Sequence, residues 1–321
     1  MDTATETPHL LDVAHLSVSV FPGPGKSDVI HDVSFCVRAN EVFTLLGESG
    51  SGKTILSRAV TRLFPAASSV NVDGLVTFEG RPLFALAERE LAAIRRSRIR
   101  YVFQEPMQSL NPVATIRKQM QLASDLPADD DTFLHDTLRL VGLDNGEEVL
   151  GSYPHELSIG MAQRVCIAMA VMSSPGLLIA DEPTSAVDAS MRRKLLDLLM
   201  AIDQSRAMAL IMITHDLEVA RWYGDRIAVM YGGRIVEHAE RRALFETPLH
   251  PYTRLLINAH SRDQNIAAPL GMTQDPAAGD PPPQGCVFEP RCPFAKVKCK
   301  EADPAPETVT DSREVRCFYW K

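Results

Sequence analysis

Long apolar runs are what this sequence most lacks. No uninterrupted stretch approaches the roughly 20 residues that a membrane-spanning helix needs, so the chain is expected to have no span of its own. Met1 to Pro8 is polar and acidic, so no signal peptide is expected. Positive charge is also in deficit: 33 Lys and Arg against 41 Asp and Glu leave a net charge of −8. That balance argues against a nucleic-acid surface and leaves room only for a local basic patch. No internal repeat is visible. Cysteine is sparse through most of the chain, with Cys36 and Cys166 standing alone, but Cys286, Cys292, Cys299 and Cys317 crowd the C-terminal end. Without an export signal a reducing compartment is the default, and disulfides are not expected.

What is present is organised around Gly47-Glu48-Ser49-Gly50-Ser51-Gly52-Lys53-Thr54, which reads G-x-x-x-x-G-K-[ST]. Glycines allow the tight turn that points several backbone N–H groups inward at phosphates. A helix starting near Gly52 adds its positive N-terminal end to the same spot. Lys53 supplies a point charge for the β- and γ-phosphates, and the Thr54 hydroxyl is a natural Mg²⁺ ligand. The preceding Val42–Leu46 is short and apolar, as a buried parallel strand would be. Strand, loop and helix together identify a nucleotide site.

Around this loop, Leu10 to Val37 alternates in polarity on either side of a Pro/Gly break at 21–25, which predicts a small antiparallel sheet. Leu75–Glu79 adds a further strand, and Glu88–Arg98 is helical. Between Glu105 and Tyr153 the pattern changes to short helices with breaks, a helical insertion spanning about 105–165. Strands at Ile99–Phe103, Gly176–Ala180 and Met208–Thr214 alternate with helices, which implies a mainly parallel α/β sheet. Ile227–Met230 and Arg234–Val236 flank Gly232-Gly233 as a hairpin. From about Ser261 to Gln284 the composition turns to Pro, Gly, Asp and Ala, a linker.

Leu177-Leu178-Ile179-Ala180-Asp181-Glu182 places two acids at the end of an apolar strand, where ligands of α/β sheets bind. Asp181 suits a Mg²⁺ sphere, and Glu182 is then available to polarise an attacking water as general base. Solvated acids in an ordinary turn are the alternative. His215, directly after a strand, can contact a γ-phosphate, although a lone histidine there is more often structural. Gln104, at another strand end, can orient water or complete the Mg²⁺ shell.

Taken in order, Gly47–Thr54, Gln104, Leu157-Ser158-Ile159-Gly160-Met161-Ala162-Gln163-Arg164, Leu177–Glu182, Ser185-Ala186-Val187-Asp188 and His215 resemble the motifs of an ABC-transporter ATPase. The resemblance runs from Leu10 to about Arg242. It implies an α/β cassette with a P-loop, a mainly parallel core sheet, a small antiparallel β subdomain and a helical subdomain. ATP and Mg²⁺ are the implied ligands, the metal held by Thr54, Gln104 and Asp181. The Leu157 stretch resembles the signature motif, whose Ser158, Gly160 and Gln163 would meet ATP bound by the opposite subunit. Asp188 resembles the D-loop acid that links the two sites. Phe21 is the candidate for stacking on adenine. One departure stands out, because the signature usually has two adjacent glycines and the first is here Ile159. A β-branched residue adds bulk and restricts the backbone where a γ-phosphate should approach. The expectation is an asymmetric heterodimer, in which the site completed by this signature is the weaker.

The tail begins at His250-Pro251-Tyr252-Thr253, which resembles ATPases of the oligopeptide/dipeptide/nickel import group. The chain is thus expected to divide into a cassette, 1–248, and an importer-type extension, 249–321. The cysteines read C-x5-C-x6-C-x17-C, unlike the C-x2–4-C knuckle of structural zinc sites. Four thiolates in a short tail, one followed by proline, suit an iron–sulfur cluster, with zinc or unligated thiols as alternatives. Members of the resembled group carry a [4Fe–4S] cluster here. A ligated group would staple a segment too poor in apolar residues to fold by itself. Cys36 and Cys166 read as small core residues.

The resemblance implies an ATP-hydrolysing subunit of a bacterial importer for di- or oligopeptides, with nickel/metallophore or glutathione import as the alternatives. Its partners would be a second, homologous ATPase, two transmembrane permeases and an extracytoplasmic solute-binding protein, with the chain peripheral on the cytoplasmic face of the membrane. A non-transport ABC ATPase acting on nucleic acid or ribosomes fits less well, because such proteins usually show paired cassettes or basic arms. A subunit that binds ATP without hydrolysing it is disfavoured by Glu182 and His215.

Overall fold

The computed structural model describes residues 9–21, 25–65, 68–124, 131–185, 189–206, 208–260 and 284–321. Asp188 and most of the linker fall outside them. The chain divides into two compact units, one of Met1–Val37, Val42–Phe84 and Thr214–Lys321, the other of Arg38–Glu41 and Ala85–Ile213.

In the first unit, strands Leu11–Val20, Ser27–Val37 and Val70–Phe78 form the antiparallel sheet that alternation predicted, with Leu11–Val20 central and the two-residue strand Arg81–Pro82 at one edge. Leu11, Val13, Leu16 and Val18 point to the covered face and are all essentially buried. A second sheet holds the strand Val42–Leu46, apolar throughout because both of its faces are covered, parallel to Arg226–Tyr231. Arg226–Tyr231 turns through Gly232 and Gly233 into the antiparallel Arg234–Glu240. Both glycines have positive φ (51° and 73°), the backbone that a two-residue hairpin demands. A Cβ at Gly233 would also collide with the Val29 carbonyl oxygen.

The tail continues this sheet. Arg313–Val315 pairs with Arg234–Glu240, and Glu307–Thr310 pairs with Arg313–Val315. Tyr252, Val287 and Phe288 pack into the core formed by Leu46, Val229, Tyr231 and Val236. The extension and the phosphate loop lie in the same compact unit.

In the second unit, Ile99–Val102, Leu177–Asp181 and Ala209–Thr214 run parallel in that order. Each is short, apolar and bounded by helices, as a buried parallel sheet requires. The helices Pro106–Ser109, Ile116–Ala123, Asp131–Leu140, Gly146–Gly151 and Ile159–Val171 occupy the predicted insertion. Among the described residues, no helix is long and apolar enough to cross a membrane.

Candidate functional site

The phosphate loop lies in the first unit, between the strand Val42–Leu46 and the helix Lys53–Val60. Gly50 (φ 81°) and Gly52 (φ 101°) take the left-handed backbone that turns the loop, and Gly52 is the N-cap of the helix. A Cβ on Gly47 would collide with the Met230 carbonyl oxygen, so only glycine lets the loop pass the neighbouring strand. Lys53 is buried, and its Nζ donates to the carbonyls of Gly47 (2.9 Å) and Glu48 (2.8 Å). The charge is thereby held inside the loop. Thr54 stands one residue into the helix and is half-buried, while Ser49 and Gly50 are exposed at the rim.

His215 belongs to the same unit and is exposed. Its neighbours are pinned: Asp216 N donates to Thr214 Oγ1 (2.9 Å), and Asp216 Oδ1 accepts from Glu218 N (2.8 Å) as N-cap of the helix Leu217–Tyr223. Phe21, at the end of the first strand, is 42% exposed.

The second unit carries the acids. Asp181 ends the strand Leu177–Asp181 and is buried, accepting a hydrogen bond from Tyr101 Oη (3.0 Å). Glu182 follows with φ 44°, a left-handed backbone costing about 1 kcal/mol or more in a non-glycine residue. Its carbonyl accepts from both the amide and the hydroxyl of Ser185. Gln104 Nε2 donates to Glu182 Oε2 (3.2 Å), so the two strand-end residues picked out in sequence meet. Glu182 thus combines a left-handed backbone with a carboxylate directed by a hydrogen bond.

Ser158 caps the helix Ile159–Val171, its Oγ accepting from Met161 N (3.2 Å). Ile159 is 51% exposed beside it, and Gly160 has open space where a Cβ would be. Gln163, by contrast, is buried on the inner side of that helix, so it stands apart from the exposed face formed by the first turn.

The four tail cysteines line one cavity with His250, Phe288, Phe294, Pro304 and Phe318. Burial pushes the Cys286 thiol up to about 12, with repulsion from the other three thiolates adding to it, and burial is also the largest cause that raises Cys292 and Cys317. A cation entering the cavity would have to displace those protons. Among the described residues, no group of three or more His, Cys, Asp or Glu side chains is arranged to hold a single metal ion. His250 is held neutral by burial, its pKa pushed down to about 3, and Nδ1 accepts from Tyr252 N. Cys166, read as a small core residue, is half-buried, and burial pushes its thiol up to about 12.

Tyr101, Tyr252 and Arg291 have structural roles that sequence reasoning missed. Tyr101 reads as one more apolar strand residue, and nothing local marks its bond to Asp181, 80 positions away. Tyr252 Oη accepts from Glu48 N (3.2 Å), and Arg291 pairs with the Glu48 carboxylate (2.9 Å).

Comparison with known proteins places these features. A sequence model described as "ABC transporter" matches residues 30–185, and one described as "Oligopeptide/dipeptide transporter, C-terminal region" matches 236–299. The chain is 37% identical over 317 residues to the dipeptide transport ATP-binding protein DppD of Bacillus subtilis, covering 96% of this chain and 94% of that one. It is 38% identical over 331 residues to the oligopeptide transport ATP-binding protein OppD of Salmonella typhimurium, covering 99% and 97%. Among solved structures, the dimeric post-hydrolysis ATP-binding cassette MJ0796 bound to ADP and Pi matches with a TM-score of 0.64 at 25% identity, over 72% of this chain and 99% of that one.

Proposed function

This chain belongs to the ABC transporter family of ATP-binding proteins, and from that premise we propose that it hydrolyses ATP to drive a bacterial importer of di- or oligopeptides. The observation that carries the reading is the joint presence of a complete phosphate loop, Gly47 to Thr54, and the tail opening at His250-Pro251-Tyr252-Thr253, over nearly the full length of peptide-transport relatives. Lys53 and the loop amides would hold the phosphates. Thr54, Gln104 and Asp181 would hold Mg²⁺, which neutralises charge on the transferring phosphoryl group. Glu182 would take a proton from the attacking water, and His215 would stabilise the charge that develops on the phosphate oxygens.

The partners that follow are two permeases, a solute-binding protein and a second ATPase, with the chain peripheral at the cytoplasmic face. Pull-down of the tagged chain from gently solubilised membranes tests this. Recovery with two polytopic proteins and a similar ATPase is expected, whereas recovery with ribosomes or DNA alone would overturn it.

Ile159 supports an asymmetric pair. It is exposed beside the Ser158 cap, where a partner's nucleotide would meet the signature helix. Ile159→Gly is expected to raise the ATPase rate of the assembled complex, and an unchanged rate removes the asymmetry.

For the tail, the reading is an iron–sulfur cluster held by Cys286, Cys292, Cys299 and Cys317. All four line one apolar cavity, which suits a cluster better than a lone zinc. Four sulfurs bound to one zinc at about 2.3 Å must converge far more closely than four ligands of separate irons. The group would be structural. Protein prepared without oxygen is expected to contain iron and acid-labile sulfide, both lost in Cys292→Ala, along with resistance of the tail to proteolysis. Stoichiometric zinc in place of iron would overturn the cluster.

A further inference from the structure

We propose that Arg291 and Tyr252, both in the C-terminal extension, are positioning residues for the phosphate loop and act on it through Glu48. The inference rests on the ATP-binding reading.

Glu48 is the second residue of the loop and is gripped at two points. Its backbone N–H donates to Tyr252 Oη (3.2 Å). Its carboxylate takes both arms of the Arg291 guanidinium, Nη1 to Oε2 at 2.9 Å and Nη2 to Oε1 at 3.3 Å. Two parallel N–H···O bonds fix orientation as well as distance, which a single lysine contact would not do. Arg291 is itself aimed by its surroundings. Its guanidinium lies 5.6 Å from the centre of the Tyr231 ring, and Tyr231, Tyr252 and Phe288 pack on one another with ring centres 4.6 to 5.4 Å apart. Tyr252 and Phe288 are completely buried. The arginine stands on the short turn Glu289–Arg291, tied at both ends by Glu289 N to the Cys286 carbonyl (2.9 Å) and Cys292 N to the Glu289 carbonyl (3.1 Å).

An ordinary surface ion pair contributes little. This one differs in its consequence, because Glu48 is an anion on a loop that must receive a triphosphate. Paired, its charge is offset and its backbone is held while the neighbouring amides point at the ligand. Unpaired, it repels the incoming phosphates and lets the first turn of the loop relax. The effect belongs in nucleotide affinity rather than in the chemical step.

The test measures KM for ATP and kcat in the assembled complex, binding of a fluorescent ATP analogue, and thermal stability. Arg291→Ala is expected to raise KM and the analogue Kd about tenfold, the loss of one charge-assisted contact. The same variant should leave kcat within about twofold, since uniform binding alone is affected. Arg291→Lys should fall between. In a Glu48→Gln background, which removes the charge needing a partner, Arg291→Ala should add less than about twofold. An unchanged KM, or a full effect persisting in the Glu48→Gln background, overturns the proposal. If Arg291→Ala does not fold, Tyr252→Phe removes only the hydroxyl that accepts from Glu48, and an unaltered analogue affinity there overturns the proposal equally. Failure of the unmodified chain to bind the analogue would strike the ATP-binding reading instead.

Discussion

Glu182→Gln is expected to lower the ATPase rate of the assembled complex by about 10²- to 10⁴-fold while leaving nucleotide affinity close to that of the parent. The substitution keeps the shape of the side chain and an oxygen able to accept from Gln104 Nε2, so the contact at 3.2 Å can survive. What it removes is the negative charge that would draw a proton from water in the proposed role. The left-handed backbone at Glu182 and the two bonds from Ser185 to its carbonyl do not depend on that charge, which keeps the local fold intact. Phosphate release and analogue binding, measured on the same preparation, separate the two effects. A variant that hydrolyses at the parent rate would take Glu182 out of the base role. One that loses binding in equal measure would mean that the carboxylate serves the ground state rather than the reaction.

Glu237→Ala is expected to destabilise the unit that carries the phosphate loop by about 3–5 kcal/mol, the range for removing one partner of a buried ion pair. Glu237 is 0% exposed, in the strand Arg234–Glu240. Its carboxylate accepts from Leu249 N, from His250 N (2.9 Å) and from Arg313 Nη2 (2.8 Å). One side chain thus binds the sheet, the turn that opens the tail and the tail's own strand Arg313–Val315. Removing it strands the largely buried Arg313 cation and orphans two backbone donors. Thermal unfolding should shift down by roughly 10 °C for a domain of this size. Glu237→Gln, which keeps an acceptor but leaves the arginine charge unmatched, should lose less. A shift below about 2 °C in the alanine variant would show that the tail is held without this junction.

The phosphate loop was legible because everything it needs is local. Eight consecutive residues supply the turn, the amides, the charge and the hydroxyl, and the flanking apolar strand and helix can be read from their own periodicity. Asp181, Glu182 and Gln104 were legible for a related reason: each ends an apolar run, and the end of a parallel strand is where α/β sheets place ligands. Ser158 reads in sequence only as a signature-motif residue, and its role as N-cap of the helix Ile159–Val171, accepting from Met161 N, comes from the structure. Gln163 is grouped with Ser158 and Gly160 by the resemblance to the signature motif, and it lies on the buried side of the helix.

The sequence by itself determined the nucleotide chemistry, the α/β alternation and the existence of a cysteine-bearing tail. Tertiary structure decided where that tail goes. Read along the chain, it is a Pro- and Gly-rich excursion followed by a segment poor in apolar residues, with every mark of a separate appendage. In three dimensions it adds two strands to the sheet beside the phosphate loop, buries Tyr252 and Phe288 in that unit's core and sets Arg291 against Glu48, 243 positions away. Strand order and ion pairs between distant segments leave no period or spacing in the sequence. They arise from which surfaces meet once the chain has closed its long loops, and the free energy that selects them is shared among residues that have no local pattern in common.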